Sequence, residues 1–257
     1  MGKFDGVLIC SDIDGTLTDS CGKISPENCR AIEYFQSEGG RFTVSTGRYH
    51  NFIEKFPIKM NAPVICVNGT VIYDSELGRV VWEKPVPDGF IADMEYICRE
   101  YKDLLAGAYG CSLTSDMHWS SSDGEFSPDI FGANRLYKCV FIPSDHEKNM
   151  SVLQKELISK FGNKYSFNRS QSFLLEMHHI ESGKGHAVKE LRRIIGNLHT
   201  VVAAGDYEND ISMFTEADIS FAPENAVPEV KSVAKFFGPS NNEGFIAYIV
   251  DKLSDMF

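Results

Sequence analysis

The chain has 257 residues, room for one large domain or two modest ones, and its 43 % hydrophobic and 24 % charged residues fit an ordinary soluble globular protein. With 25 basic against 36 acidic residues the formal charge is −11, which repels polynucleotide phosphates. Nucleic acid is therefore not expected as a partner. A small phosphorylated ligand is not, because a bound metal reverses the local field.

Seven cysteines without a C-x-x-C pair argue for a reducing compartment over a disulfide scaffold. No stretch approaches the length of a membrane span, so no membrane partner is expected and cytoplasmic is the default location.

The first third alternates strands and helices. Val7 to Ser11 is a short apolar run. Pro26 to Glu38 carries Ala31, Ile32 and Phe35 at helical spacing, with Ser25 as N-cap, Pro26 at the first helical position and Gly39-Gly40 as the stop. Phe42 to Ser45 reads as a strand, Tyr49 to Phe56 as a short helix and Val64 to Val67 as a strand. Asn68-Gly69 is a hairpin turn leading into Val71 to Tyr73. The last third repeats the alternation, with helices over Lys184 to Ile195, Asp210 to Thr215 and Gly244 to Leu253. Strands are expected at Thr200 to Ala204 and Ile219 to Ala222. This order predicts an α/β, doubly wound, Rossmann-like parallel sheet covered on both faces.

The middle third has a different texture. Two long helical patterns, Asp88 to Asp103 and Asp145 to Phe161, stand among strand-like runs at Leu136 to Ile142, Tyr165 to Asn168 and Phe173 to His178. A Ser-rich polar stretch, Ser120 to Pro128, interrupts them. We expect an α+β module over residues 84–183 inserted into a core of residues 1–83 plus 184–257.

The chemistry begins at Asp12-Ile13-Asp14-Gly15-Thr16, directly after the first strand. Two carboxylates two residues apart in extended backbone project to one side, at the carboxyl end of a parallel strand, where open α/β sheets bind ligands. Gly15 permits a sharp turn. An EF-hand loop is excluded, since Leu17 and Lys23 stand where glycine and glutamate are required. A second acidic group, Gly205-Asp206-Tyr207-Glu208-Asn209-Asp210, follows the strand at Val201 to Ala204. Asp206 and Asp210 are one helical turn apart and can converge.

Two smaller signals accompany these. Ser45-Thr46-Gly47-Arg48 offers a hydroxyl and backbone N–H groups at a helix start, which suits phosphate oxygens. A Thr N-cap explains the same residues equally well. Ser182-Gly183-Lys184-Gly185 puts a lysine at a helix N-terminus, against the dipole. It is no Walker A loop, since His178 and Gly185 occupy required glycine and hydroxyl positions. For the pair His178-His179 a structural role is favoured over a site role.

These four motifs, in this order, resemble the haloacid dehalogenase superfamily of phosphohydrolases, in particular its Cof-type or type IIB sugar-phosphatase-like branch. The resemblance spans essentially the whole chain and extends to Asn68-Gly69 and Asn225-Ala226. It implies a Mg²⁺-dependent phosphomonoester hydrolase acting on a small phosphorylated metabolite, as monomer or homodimer, with a C2B-like cap. It further implies Asp12 as the nucleophile that becomes an aspartyl-phosphate, and Asp14 as the acid, initially protonated, that then activates water. Mg²⁺ would be held by Asp12, the Asp14 backbone carbonyl and Asp206, with Asp210 in support. Thr46, Gly47, Lys184, Asn209 and the Ile13 backbone would hold the phosphate. Arg48, Asn68, Arg135 and His178 are substrate candidates, and the inserted module would act as a lid. A phosphosugar mutase and a non-catalytic phosphometabolite-binding protein are the alternatives.

Overall fold

The computed structural model describes residues 2–113, 116–123, 127, 129 and 135–257. Of the Ser-rich stretch, residues 124–126 and 128 lie outside the described residues. The chain divides into two compact units, Met1–Trp82 with Lys184–Phe257, and Glu83–Gly183.

In chain order the first segment contributes β1 (Val7–Ser11), α1 (Pro26–Ser37), β2 (Arg41–Val44), β3 (Val64–Cys66), β4 (Val71–Asp74) and β5 (Arg79–Glu83). The insert contributes α2 (Phe90–Glu100), β6 (Leu105–Cys111), β7 (Asp116–Ser120), β8 (Lys138–Pro143), α3 (His146–Phe161), β9 (Tyr165–Gln171) and β10 (Leu174–His179). The last segment adds α4 (Lys184–Ile195), β11 (Thr200–Ala204), α5 (Ile211–Glu216), β12 (Ile219–Ala222), α6 (Pro228–Lys231), β13 (Phe236–Phe237) and α7 (Phe245–Met256).

The first unit is built on a parallel sheet of order β13-β12-β11-β1-β2. Its central strands, VLICS and TVVAA, are buried almost throughout, as a sheet covered on both faces requires. Leu8, Cys10, Val201 and Ala203 pack with Ala187, Val188 and Leu191 of α4 and Met213 of α5. Alternation turns Val7, Ile9 and Val202 to the opposite face, and α1 packs against α7 and β2. Helix α1 starts where Ser25 Oγ accepts the Asn28 N–H at 3.1 Å, and Gly39 leaves it at φ 88°. β1 has β2 on one side and β11 on the other, so the strand order reverses beside it. That is the switch point where open α/β sheets hold ligands.

The hairpin turn lies where Asn68-Gly69 places it, with β3 and β4 antiparallel and Val67, Asn68 and Gly69 all at positive φ. The helix expected from Asp88 to Asp103 is shorter, Phe90–Glu100, because Gly89 stands at φ 83° and breaks it from the preceding residues.

The second unit is an antiparallel sheet of order β7-β6-β8-β10-β9 with α2 and α3. Phe141, Met177, Leu175 and Trp119 on one sheet face share a core with Met94, Ile97, Leu153 and Leu157 of the helices. Strand β6 was not visible in the sequence, since its Ala and Gly residues have weak strand preference. Gly107 has a packing reason, as a Cβ there would stand 2.6 Å from the Trp119 carbonyl on β7.

Two substitutions on α3 test this core. Leu157 is fully buried, so Leu157→Ala should cost about 2–5 kcal/mol. Val152 is exposed, so Val152→Ala should change stability by less than about 0.5 kcal/mol. Denaturant unfolding of both variants is the measurement, and equal effects would contradict the packing.

Candidate active site

The site forms at the carboxyl ends of β1, β2 and β11. The register Ser11↔Ala204 brings the ends of β1 and β11 level, and the Asp12 N–H continues the ladder by donating to the Ala204 carbonyl at 2.8 Å. Asp12 and Asp206 thus leave adjacent strands side by side. Gly15, at φ 81°, turns the chain immediately afterward, and a Cβ there would stand 2.5 Å from Asp206 Oδ2. Only glycine fits both demands. Gly205 is similarly constrained, because a Cβ would fall 2.4 Å from the Asp210 carboxyl carbon.

One carboxylate oxygen from each of Asp12, Asp206 and Asp210 lies within 4.8 Å of the others. Lys184, at the start of α4 and 2 % exposed, reaches between them. Its Nζ donates to Asp12 Oδ1 at 2.7 Å and to Asp210 Oδ1 at 2.6 Å. The other Asp210 oxygen accepts the backbone N–H groups of Asp206 (2.9 Å) and Tyr207 (3.0 Å). Both Asp210 oxygens are therefore engaged, one by Lys184 and one by the turn, which leaves Asp12 and Asp206 as the more open ligand groups. Thr16 Oγ1 orients Asp206 by donating to its Oδ1 at 2.7 Å, and Asn225 Nδ2 anchors the turn through the Gly15 carbonyl at 2.8 Å.

Three carboxylates against one ammonium leave an excess of negative charge in a buried place. Burial, then repulsion from Asp12 and Asp210, pushes Asp206 up to about 8. Asp12 rises to about 7, through burial first, with Lys184 opposing and Asp210 reinforcing. For Lys184 burial alone would favour the neutral amine, but Asp12 and Asp210 outweigh it and hold the ammonium well above its ordinary range. Cys10, beneath the cluster, is pushed up to about 12 by burial and is no nucleophile at neutral pH. The donor set is all oxygen and over-charged, which fits a hard divalent cation.

The remaining expected residues divide. Thr46 is fully buried, its Oγ1 accepting the Arg48 N–H at 3.2 Å, and Gly47 follows it at the end of β2. Asn209 donates through Nδ2 to Asn68 Oδ1 at 2.9 Å, while its Oδ1 is buried without a hydrogen-bond partner. A buried orphan acceptor is costly, and a bound donor would relieve it. The Ile13 backbone, directly after Asp12, weakly opposes the rise that burial imposes on the Asp12 carboxyl.

Asp14 differs from expectation: its carboxylate does not join the Asp12 cluster. The chain leaves extended geometry in the turn Ile13–Leu17, and both Asp14 oxygens are taken by Arg48, Oδ2 by Nε at 2.8 Å and Oδ1 by Nη2 at 2.7 Å. Arg135 and His178 belong to the second unit. Arg135 pairs with Glu83 at 2.9 Å. His178 is 1 % exposed, its Nδ1 2.9 Å from Ser182 Oγ and its Nε2 3.0 Å from Asn168 Nδ2. Thr16 and the Asp14–Arg48 pair are the features that sequence reasoning missed. Thr16 was legible as part of the first motif, whereas a pairing across 34 residues left no local signal.

Residues 9–250 match the haloacid dehalogenase-like hydrolases. The chain belongs to that family. Two curated relatives are a Bacillus subtilis 5-amino-6-(5-phospho-D-ribitylamino)uracil phosphatase, YwtE, 28 % identical over 95 % of this hydrolase and 97 % of the relative, and a Saccharolobus solfataricus phosphoglycolate phosphatase, 26 % identical over 96 % and 92 %. Among solved structures, the subclass IIB sugar phosphatase BT4131 aligns with a TM-score of 0.79 over 95 % of this chain and 98 % of its own, at 18 % identity. That likeness is one of fold.

Removing the lysine tests the electrostatics. Lys184→Met should destabilise the metal-free hydrolase by roughly 3–5 kcal/mol at pH 8.5, because it strands buried carboxylates without a counter-charge. The loss should shrink at pH 6, where Asp12 and Asp206 take up protons. A pH-independent loss in thermal unfolding would contradict the charge reading.

Proposed function

We propose that this hydrolase is a Mg²⁺-dependent phosphatase that hydrolyses small phosphomonoesters, sugar phosphates foremost, through an aspartyl-phosphate on Asp12. The observation that carries the reading is the convergence of Asp12, Asp206 and Asp210 on one buried point with Lys184 between them. A lone catalytic carboxylate would not need two further carboxylates, whose repulsion is stabilising only toward a cation. The relatives' names, each a phosphatase of a different phosphate ester, support the reaction class and leave the alcohol open.

Asp12 and Asp206 are the residues that would hold Mg²⁺, with the Asp14 carbonyl beside them and Asp210 holding Asp206 in place. When bound, Mg²⁺ supplies positive charge against the phosphoryl oxygens and the attacking carboxylate. Lys184 adds a second positive charge, and the Thr46 hydroxyl, the Gly47 N–H, the Ile13 N–H and the remaining Nδ2 hydrogen of Asn209 would donate to the same oxygens, while Asn209 Oδ1 can only accept.

An Asp12 oxygen attacks phosphorus as the bond from phosphorus to the ester oxygen breaks, and Asp14 gives that oxygen its proton, so a neutral alcohol leaves. Asp14, now a carboxylate, takes a proton from water, whose oxygen attacks the phosphorus of the acyl phosphate. Inorganic phosphate departs and the Asp12 carboxylate is restored. Two moderate barriers replace one very high one. In this reading residues 1–83 and 184–257 do the chemistry, and residues 84–183 are a cap that excludes water and selects the alcohol.

Phosphate release from a panel of sugar phosphates, phosphoglycolate, pyridoxal phosphate and nucleotides tests the assignment. Turnover should vanish with EDTA and return with Mg²⁺, and Asp12→Asn should lose activity by roughly 10³-fold or more. Wild-type-like turnover in that variant would end the mechanism, and conversion of a hexose phosphate to its isomer without free phosphate would point to a mutase.

The pH dependence of metal binding follows from the raised carboxyls. In the metal-free protein Asp206 and Asp12 hold protons up to about 8 and about 7, whereas the unfolded chain loses them near 4. The folded state binds more protons over that window, so metal-free stability should fall as pH rises through it. Mg²⁺ must displace those protons, so its affinity should climb with pH up to about 8 and then level. Melting curves with and without Mg²⁺ from pH 5.5 to 9 should diverge as pH rises; a constant gap would contradict the charge state given to the site.

A further inference from the structure

The Asp14–Arg48 pair has no place in the phosphate or metal chemistry just described, yet it is the best-defined contact that Asp14 makes. The guanidinium meets the carboxylate side-on, Nε and Nη2 each donating to a different oxygen, at 2.8 and 2.7 Å. This two-point fork fixes direction as well as distance, which a lysine or a single hydrogen bond does not. The flat face of the guanidinium lies 4.0 Å from the Phe52 ring centroid, and the Arg48 N–H donates to Thr46 Oγ1. Arg48 is thus held at its backbone by the phosphate-binding turn, at its face by an aromatic ring, and at its edge by Asp14. Asp14 itself sits in the turn Ile13–Leu17, on backbone followed by a glycine at φ 81°, with its side chain about half exposed. A carboxylate so placed has little else to set its rotamer.

We infer that Arg48 is the positioning residue for the acid–base carboxylate, holding Asp14 in one direction while its proton is passed to the leaving alcohol and later taken from water. This rests on the proposed role of Asp14. The two-point fork holds the carboxyl group by both oxygens, so its direction is set before an ester oxygen reaches it. While Asp14 is protonated, one oxygen carries the hydrogen toward the ester, and the other retains its bond from Arg48. The side chain therefore gives and regains its proton without losing its anchor. An exposed ion pair with no such duty would contribute little to stability and nothing selective to turnover.

The chemistry supplies a selective readout. A nitrophenolate departs readily without a proton, whereas a sugar alkoxide does not. The acid therefore matters for kcat/KM on a sugar phosphate and little for kcat/KM on p-nitrophenyl phosphate. Asp14→Asn sets the reference, losing roughly 10²-fold or more on the sugar phosphate and far less on the nitrophenyl ester. Arg48→Gln should show the same selectivity at roughly tenfold, Arg48→Lys should recover part of the loss, and Phe52→Leu should produce a weaker version of it. In the Asp14→Asn background Arg48→Gln should cost nothing further, because the two act as one unit.

Equal losses on both esters for Arg48→Gln, or a full additional loss in the double variant, would overturn the assignment and mark Arg48 as a direct substrate contact. Unchanged kinetics would overturn it as well, leaving a surface ion pair. An unselective Asp14→Asn would remove the acid role and this inference together. Selectivity in Asp14→Asn without selectivity in Arg48→Gln would remove only the inference.

Discussion

The site is governed by one unbalanced charge count: Asp12, Asp206 and Asp210 gathered around the single ammonium of Lys184. Taking ions out of water is expensive, and a buried pair recovers the cost only when both partners are fully engaged. Here Lys184 satisfies Asp12 and Asp210 with one hydrogen bond each, and among the described residues Asp206 makes no ion pair of its own, feeling Lys184 only at longer range. Burial and mutual repulsion raise Asp12 and Asp206 toward neutrality. The cluster is thus a place where a divalent cation and a phosphoryl group, arriving together, would find charges already arranged and already destabilised in their absence.

The sheet explains why such an arrangement can exist. Asp12 and Asp206 follow strands buried on both faces, so their backbones are fixed by neighbours that cannot shift without opening the core. Parallel strands all end at one edge, and the reversal of order beside β1 opens a crevice at that edge. Gly15 and Gly205 let the chain pass where a Cβ would stand within 3 Å of the Asp206 and Asp210 carboxyl groups, and Thr16 and Asn225 hydrogen-bond Asp206 and the Gly15 carbonyl. Catalytic geometry here is mostly backbone geometry, and the side chains inherit it.

That inheritance decided what could be read from the sequence. Helices and strands of the first unit carry strong local signals, from Ser25-Pro26 before α1 to the unbroken apolar runs of β1 and β11, and they lie where those signals place them. Asp12 and Asp206 were legible because they stand at the ends of such runs, and Asp210 because it lies one helical turn beyond Asp206. What escaped depends on contacts without local signature. β6 is a strand because β7 and β8 flank it, despite its glycines and alanines. Two carboxylates two residues apart do share a side in extended backbone, but the turn after Asp12 ends the extension. Asp14 thus leaves the cluster and meets Arg48 from the end of β2. The spacing rule was sound; the local conformation it assumed was not.

The two units each bury an ion pair, and the contrast between them separates stability from chemistry. In the second unit Lys138 Nζ meets Glu176 Oε2 at 2.8 Å, both side chains nearly inaccessible. Burial alone would raise the Glu176 carboxyl, yet Lys138 overrides it and the carboxyl is held below its ordinary value, while the ammonium is held above its own. One charge answers one charge, and both groups stay ionised. Around Lys184 the same kind of contact fails to hold Asp12 in its ordinary range, because burial raises it and Asp210, on the same nitrogen, reinforces that rise. The cluster around Lys184 instead meets its excess by raising Asp12 and Asp206 toward the protonated form, and that response distinguishes the acidic residues at the ends of β1 and β11 from the Lys138–Glu176 pair.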